Sequence, residues 1–157
     1  DYEGELVIII GKSGKNISSE KAMEHILGYT IGNDVSARIL QFRGSQWILG
    51  KSLDNFAPIG PTIIPPHKFD FESATITTTV NGEVRQQANL NQMIFKPYDI
   101  IAFLSSHMTL QEGDIIFTGT PSGVVLGKNE SKYSWLKPGD IVTVAISGIG
   151  TLENKFI

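Results

Sequence analysis

Apolar and polar positions alternate along much of this chain with the two-residue period of β-strands. Residues 7–10 form an apolar, β-branched run that ends at Gly11, which predicts a buried strand. The segments on either side of Asn81-Gly82 alternate as well, and this dipeptide is typical of a type I′ hairpin. Gly113-Asp114 and Gly139-Asp140 each turn into a further apolar strand. The pattern therefore predicts a mainly β protein.

Signals for helices are fewer and the helices they predict are short. Ser18 or Ser19 can cap a helix that continues to about Leu27. Pro97 suits the first turn of a second helix, which continues to about His107. At the C-terminal end of that helix, both a capping and a catalytic role for His107 remain open. We expect a mainly β (α+β) fold with two or three short helices.

The length and the apolar content predict one domain. The 157 residues are 41% hydrophobic, which is enough for a single core of ordinary size, so we expect one domain over residues 1–157. The sequence begins inside a strand pattern without a methionine. We therefore expect it to be part of a longer protein, with N-terminal residues missing.

Charge and composition argue against several classes of partner. The net charge is −3 and no Lys/Arg cluster is present, so we expect neither nucleic acid nor an anionic membrane as a partner. There is no cysteine, which excludes disulfides and thiolate metal sites. No apolar run approaches the roughly 18 residues of a membrane span. We expect a soluble, cytoplasmic protein.

The first strand begins with alternating acids. Asp1, Glu3 and Glu5 would lie on one face of the strand, where their carboxylates repel one another unless a cation lies among them. A hard divalent cation would remove this repulsion. The alternative is a solvated, acidic strand end, which is common.

A second group of polar residues follows the next apolar segment. A helix capped by Asp34 or by the asparagine before it would place Asp34, Arg38 and Gln41 at i, i+4 and i+7 on one face. Val35 and Ile39 would then pack inward. The alternative is an ordinary amphipathic turn with an Asp-Arg pair.

Lys51 follows the apolar residues 47–49 and is a candidate for a partly desolvated cation that binds an anionic substrate. The alternative is a solvated loop lysine. The Gly-Lys-Ser sequence around it is not a phosphate-binding loop, because Ser45 stands where that motif needs a glycine. The Gly/Thr/Pro-rich segment 118–124 can bring backbone amides and hydroxyls close to an anion.

Several stretches of this sequence, in the same order, resemble the fumarylacetoacetate hydrolase family. They are Asp-Tyr-Glu-Gly-Glu-Leu, Gly-Tyr-Thr-Ile-Gly-Asn-Asp-Val-Ser-Ala-Arg, Gln-Trp-Ile-Leu-Gly-Lys-Ser-Leu-Asp, Phe-Thr-Gly-Thr-Pro-Ser-Gly-Val, Trp-Leu-Lys-Pro-Gly-Asp and Gly-Ile-Gly-Thr-Leu-Glu-Asn. The resemblance covers essentially the whole chain. It is strongest to the C-terminal catalytic region of the bacterial branch, which includes acylpyruvases, fumarylpyruvate hydrolases and homoprotocatechuate-pathway isomerase/decarboxylases of aromatic catabolism.

The resemblance implies a fold, a metal site and a substrate site. The implied fold is a mixed β-sheet roll, usually a homodimer. The implied metal ligands are Glu3, Glu5 and Asp34, whose oxygens suit Mg²⁺ or Mn²⁺, with Ca²⁺ as an alternative. The implied substrate-binding residues, with Lys51 also catalytic, are Arg38, Gln41, Lys51 and Thr120. One departure is Ile39, where many relatives have an acid.

The resemblance also implies a metal-dependent enzyme acting on a small 2-oxo or 2,4-dioxo acid through a metal-stabilised enolate. The expected reaction is C–C hydrolysis of an acylpyruvate or fumarylpyruvate. The alternatives are a decarboxylase or an enol–keto isomerase, of the oxaloacetate or 2-hydroxyhepta-2,4-diene-1,7-dioate type, or a non-catalytic protein that binds metal and oxo acids. In hydrolytic relatives a His/Glu pair before the first strand or in a lid activates water. Nothing in this sequence matches that pair.

Overall fold

The computed structural model describes residues 1–126 and 134–157, which form eight strands and two α-helices. The strands are β1 (Gly4–Ile10), β2 (Ile26–Asn33), β3 (Ile59–Ile64), β4 (Thr75–Val80), β5 (Glu83–Asn89), β6 (Ile115–Phe117), β7 (Ile141–Ile146) and β8 (Gly150–Lys155). The α-helices are α1 (Arg38–Gln41) and α2 (Pro97–His107). Short 3₁₀ helices cover Ser19–His25, Trp47–Gly50, Pro66–Lys68 and Leu90–Gln92.

The strands form two four-stranded sheets. The first sheet has the order β3-β2-β1-β6 and the second the order β5-β4-β7-β8. All strand pairs among the described residues are antiparallel. The predicted mainly β fold with short helices is confirmed, and its sheets are antiparallel.

The core lies between the two sheets. Alternate residues of β1, Leu6, Ile8 and Ile10, are at most 1% exposed and belong to the same apolar cluster as Ile76 and Val144 of the second sheet. Burying an aliphatic side chain of this size contributes about 1.5–3 kcal/mol. The strand that carries Glu5 is therefore held firmly by the side chains on its other face.

The turn between β4 and β5 is the predicted hairpin. Asn81 and Gly82 have φ angles of +51° and +83°, and a type I′ turn requires positive φ at both central residues. The prediction of a type I′ hairpin is confirmed. Gly82 can adopt this conformation without the steric cost that a Cβ would bring.

The structure differs from the predicted helix boundaries near the acidic residues. The predicted helix at Asp34 is wrong, because β2 extends through Asn33 and α1 begins only at Arg38. Ile39 does not pack inward and is 83% exposed. The first 3₁₀ helix ends at His25, not near Leu27, because the following residues pair with β1. In both places, pairing with a distant strand overrides the local helical signal.

Within residues 1–126 and 134–157, no helix combines the length and the apolar character needed to cross a bilayer.

Candidate metal centre

The pairing of β1 with β2 brings the three predicted metal ligands together. Gly4 lies opposite Asn33 in the antiparallel register, and the N–H of Asp34 donates to the carbonyl of Glu3 at 2.8 Å. One carboxylate oxygen from each of Glu3, Glu5 and Asp34 lies within 4.8 Å of the others. Residues that are about thirty positions apart in sequence thus form one acidic cluster, called the carboxylate cluster below.

Asp1 is not a member of the carboxylate cluster, but it lies beside Glu3, because Arg38 Nη2 contacts both Asp1 Oδ2 and Glu3 Oε1. Its Oδ2 accepts hydrogen bonds from Arg38 Nε at 3.0 Å and Nη2 at 2.8 Å. The backbone N–H groups of Val125 and Leu126 also donate to its carboxylate, at 3.1 and 3.0 Å. The Asp1 carboxylate is thus paired with a protein cation and with backbone donors.

Arg38 and Gln41 lie behind Glu3. Arg38 Nη2 contacts Glu3 Oε1 at 2.7 Å, and Arg38 Nη1 donates to Gln41 Oε1 at 2.9 Å. Arg38 is 8% exposed and Gln41 is 2% exposed. These contacts orient one carboxylate of the cluster. The substrate-binding role that the resemblance implies for both residues stays a prediction.

Lys51 contacts two members of the carboxylate cluster. Its Nζ donates to Glu3 Oε2 at 2.8 Å and to Asp34 Oδ2 at 2.6 Å. The apolar residues 47–49 are more than half exposed, so the carboxylates rather than that run surround the ammonium group. Gly50 packs so closely on Gln41 that a Cβ would lie 2.6 Å from the Gln41 nitrogen. This contact fixes the segment that carries Lys51.

Glu5 is the most deeply buried member of the carboxylate cluster, at 3% exposed. Burial raises the pKa of Glu5 to about 8, although the N–H of Gly119 donates to its Oε2 at 2.7 Å and acts in the opposite direction. Burial also raises the pKa of Asp34, against the opposing effect of its hydrogen bond from Lys51. The carboxylate cluster therefore favours a bound proton or a bound cation over free negative charge.

The donor set of the carboxylate cluster fits a hard divalent cation. All three groups are carboxylates, and hard cations such as Mg²⁺, Mn²⁺ and Ca²⁺ prefer oxygen ligands. Opposite ligands around such an ion are about 4 to 5 Å apart, given ion–oxygen distances of about 2.0 to 2.6 Å. The observed limit of 4.8 Å is compatible with this spacing. Glu3, Glu5 and Asp34 would hold the ion.

Thr120 lies next to the carboxylate cluster, but its hydroxyl is hydrogen-bonded within the protein. Thr120 Oγ1 donates to the carbonyl of Gly4 at 2.9 Å and accepts from Gln86 Nε2 at 2.8 Å. It can therefore offer a ligand only a lone pair, and its predicted contact with substrate stays a prediction. Sequence reasoning missed Gln86 altogether. The alternation of β5 could have placed its side chain inward, but nothing local indicates its partners.

A family model for the C-terminal region of fumarylacetoacetate (FAA) hydrolase matches residues 1–157. The chain belongs to the fumarylacetoacetate hydrolase family. Among its relatives is oxaloacetate tautomerase YisK of Bacillus subtilis, which is 49% identical over 158 residues, covering 99% of this chain and 51% of YisK. The chain thus spans about half the length of the curated relatives it matches.

Two similar solved structures have the same fold. A fumarylacetoacetate hydrolase from Exiguobacterium antarcticum superposes with a TM-score of 0.94 at 45% identity, covering 99% of this chain and 55% of that one. A 5-carboxymethyl-2-hydroxymuconate delta-isomerase from Mycobacterium smegmatis gives 0.89 at 40% identity, covering 99% and 58%. Relatives at similar identity are thus named as a tautomerase, a hydrolase and an isomerase.

Proposed function

We propose that this chain carries the metal centre of an enol–keto isomerase that acts on a 2-oxo acid of the oxaloacetate type. The observation that carries the proposal is the meeting of Glu3, Glu5 and Asp34 within 4.8 Å, with the Lys51 ammonium against two of them. The name of the YisK relative supports tautomerisation over the C–C hydrolysis expected from the sequence.

The carboxylate cluster and Lys51 have separate roles in this reaction. When bound, the divalent ion supplies Lewis acidity toward the adjacent carboxylate and carbonyl oxygens of a 2-oxo acid. Lys51 would hold the anionic oxygen of the enolate and assist proton transfer there. In the net reaction one proton leaves the enol oxygen on C2 and one is added to C3 of the oxo acid. No other reactant is consumed.

Arg38 supports this arrangement through Glu3. Its guanidinium contacts both Glu3 and Asp1, and it is itself held by Gln41. Because these contacts are buried, Glu3 has little freedom to rotate away from the carboxylate cluster. A preorganised ligand avoids the cost of reorganisation when the substrate binds.

C–C hydrolysis of an acylpyruvate is the second candidate, favoured by the similar structure that is named as a fumarylacetoacetate hydrolase. Hydrolysis requires a base that activates water. The three histidines of this chain lie elsewhere: His25 contacts the Lys12 carbonyl, His107 contacts the Phe103 carbonyl, and His67 follows β3. None of them contacts the carboxylate cluster in the described structure.

The test is to give the purified protein enol oxaloacetate and, separately, acetylpyruvate, with Mg²⁺ and after treatment with a chelator. Loss of the ultraviolet absorbance of the enol reports tautomerisation, and release of pyruvate reports C–C cleavage. We expect Mg²⁺-dependent tautomerisation, lost in Glu5→Gln and kept in Glu24→Gln, a change at an exposed acid on the first 3₁₀ helix.

Three results would contradict the proposal. Equal tautomerisation with and without the chelator would exclude the metal. Faster cleavage of acetylpyruvate than tautomerisation of oxaloacetate would favour the hydrolase. Metal-dependent thermal stabilisation without turnover of either compound would indicate a binding protein.

A further inference from the structure

Gln86 is a buried side chain of the second sheet that bonds to both the strand and the loop beside the carboxylate cluster. It lies on β5 and is 1% exposed. Its Oε1 accepts from the N–H of Gly4 at 3.0 Å, and its Nε2 donates to Thr120 Oγ1 and to the carbonyl of Pro121, both at 2.8 Å. Because a buried amide without partners is costly, these bonds hold the side chain in one position.

The partners also fix the direction of each bond. An amide turned by 180° would place its NH₂ group against the Gly4 N–H and its oxygen against the Pro121 carbonyl, and both contacts would be repulsive. Gln86 Nε2 can only donate, so the Thr120 hydroxyl accepts from it and directs its own hydrogen to the Gly4 carbonyl, 2.9 Å away. Gly4, Gln86 and Thr120 thus form a closed circuit of three hydrogen bonds, called the Gly4 ring below.

The Gly4 ring lies next to the carboxylates in the chain. Gly4 separates Glu3 from Glu5, and both its N–H and its carbonyl belong to the ring. Thr120 follows Gly119, whose N–H donates to Glu5 Oε2 at 2.7 Å. A shift of this ring would therefore move Glu5 and its hydrogen-bond donor relative to each other.

The backbone of Gly4 rests directly on the second sheet. A Cβ on Gly4 would lie 2.2 Å from Thr78 Oγ1 and 2.9 Å from a methyl group of Val144, so only glycine fits here. Without a side chain, Gly4 has nothing that interlocks with its neighbours. The hydrogen bonds of the Gly4 ring therefore add, at this glycine, to the core packing and strand pairing that hold the rest of β1.

We propose that Gln86 is a positioning residue of the metal centre, which aligns the Glu-Gly-Glu strand with the 118–124 loop so that Glu3 and Glu5 face the same ion. This inference rests on the proposed function only in requiring that the carboxylate cluster binds a metal. It does not depend on which oxo acid is the substrate.

Gln86→Leu tests this role, and Gln87→Leu is the matched control. Gln87 is the next residue on the same strand and is exposed, whereas Gln86 is buried. The measurement is the affinity for Mn²⁺ and Mg²⁺ by titration calorimetry, without substrate. Residues that orient metal ligands typically change metal affinity by about 10- to 100-fold. We expect a loss in this range for Gln86→Leu and unchanged affinity for Gln87→Leu.

Two further variants separate positioning from general stability. Ile76→Val removes one methyl group from the buried core of β4, and we expect it to lower the melting temperature without changing metal affinity. Thr120→Val removes the hydroxyl that belongs to the Gly4 ring, so it should weaken metal binding as Gln86→Leu does. Thr120→Ser keeps the hydroxyl and should bind metal as the wild type does. The Thr120 pair also provides the test if Gln86→Leu does not fold.

Three measured outcomes would contradict the proposals in different ways. If the wild type binds Mn²⁺ and Gln86→Leu binds it equally well, the role of Gln86 is wrong while the proposed function stands. If metal affinity falls in Ile76→Val as much as in Gln86→Leu, the effect is one of stability and the role is also wrong. If the wild type binds neither ion, the carboxylate cluster is not a metal site, and both the proposed function and the role of Gln86 are wrong.

Discussion

Replacing Glu5 by glutamine should remove much of the pH dependence of the stability of the metal-free protein. Glu5 is 3% exposed, and its pKa is about 8 in the folded protein against an ordinary 4.5. Because the folded-state pKa is the higher one, the native protein holds a proton that the unfolded chain releases. The stability that Glu5 contributes is complete below about pH 4.5 and is lost as the pH rises to about 8.

The size of the effect follows from the same two values. Each tenfold difference in proton affinity between the folded and unfolded states is worth about 1.4 kcal/mol. The interval from 4.5 to about 8 therefore corresponds to at most about 5 kcal/mol between its two ends. Glutamine keeps the shape of the side chain and can still accept from the Gly119 N–H, but it has no charge to desolvate.

The assay is urea unfolding, followed by tryptophan fluorescence at several pH values from 5.5 to 8.5 in the presence of a chelator. We expect the Glu5→Gln variant to become more stable relative to the wild type as the pH rises, by up to about 1.4 kcal/mol per pH unit. Saturating Mg²⁺ should reduce this difference, since an ion at a hundred times its Kd stabilises the wild type by about 2.7 kcal/mol. A constant difference between the two proteins at all pH values would refute the reasoning.

Three further predictions follow from single contacts. Lys51→Met should lower kcat by about a hundredfold or more while metal still binds, because the ammonium stabilises negative charge on the substrate. Steady-state kinetics measures kcat, and calorimetry measures metal affinity. Arg38→Met should destabilise the protein by about 3–5 kcal/mol in urea unfolding, because it removes the cation of the Asp1 carboxylate, whose side chain is 0% exposed, and one of the two cations that contact Glu3. Gly82→Ala should cost about 1 kcal/mol at its φ of +83° and leave metal affinity unchanged, and a loss of affinity would contradict this separation.

The sequence contains enough to predict the strands and part of the carboxylate cluster. Glu3 and Glu5 share a face because side chains on one strand alternate, and this rule needs no tertiary information. Asp34 was also predicted as a ligand, by resemblance. The structural reason is the pairing of β1 with β2, which places Asn33 opposite Gly4. The local sequence predicts a helix that begins near Asp34. The pairing of β2 with β1 instead extends the strand through Asn33, and α1 begins only at Arg38.

Other features of the candidate metal centre depend on contacts that no local pattern reveals. Asp1 alternates with Glu3 in sequence but binds Arg38 and the N–H groups that follow the 118–124 loop. Gln86 is bonded to Gly4, 82 positions earlier, and to Thr120, 34 positions later. Such partners are fixed only when the two sheets pack, and for that reason no local sequence pattern indicates them.

Both oxygens of Glu3 have a protein donor, Arg38 at Oε1 and Lys51 at Oε2, and Lys51 also donates to Asp34 Oδ2. The Lys51 ammonium therefore lies where a cation shared by these two carboxylates would compete with it. An ion held by Glu3 Oε2 and Asp34 Oδ2 would have to displace the ammonium, which would then be available to an anionic substrate.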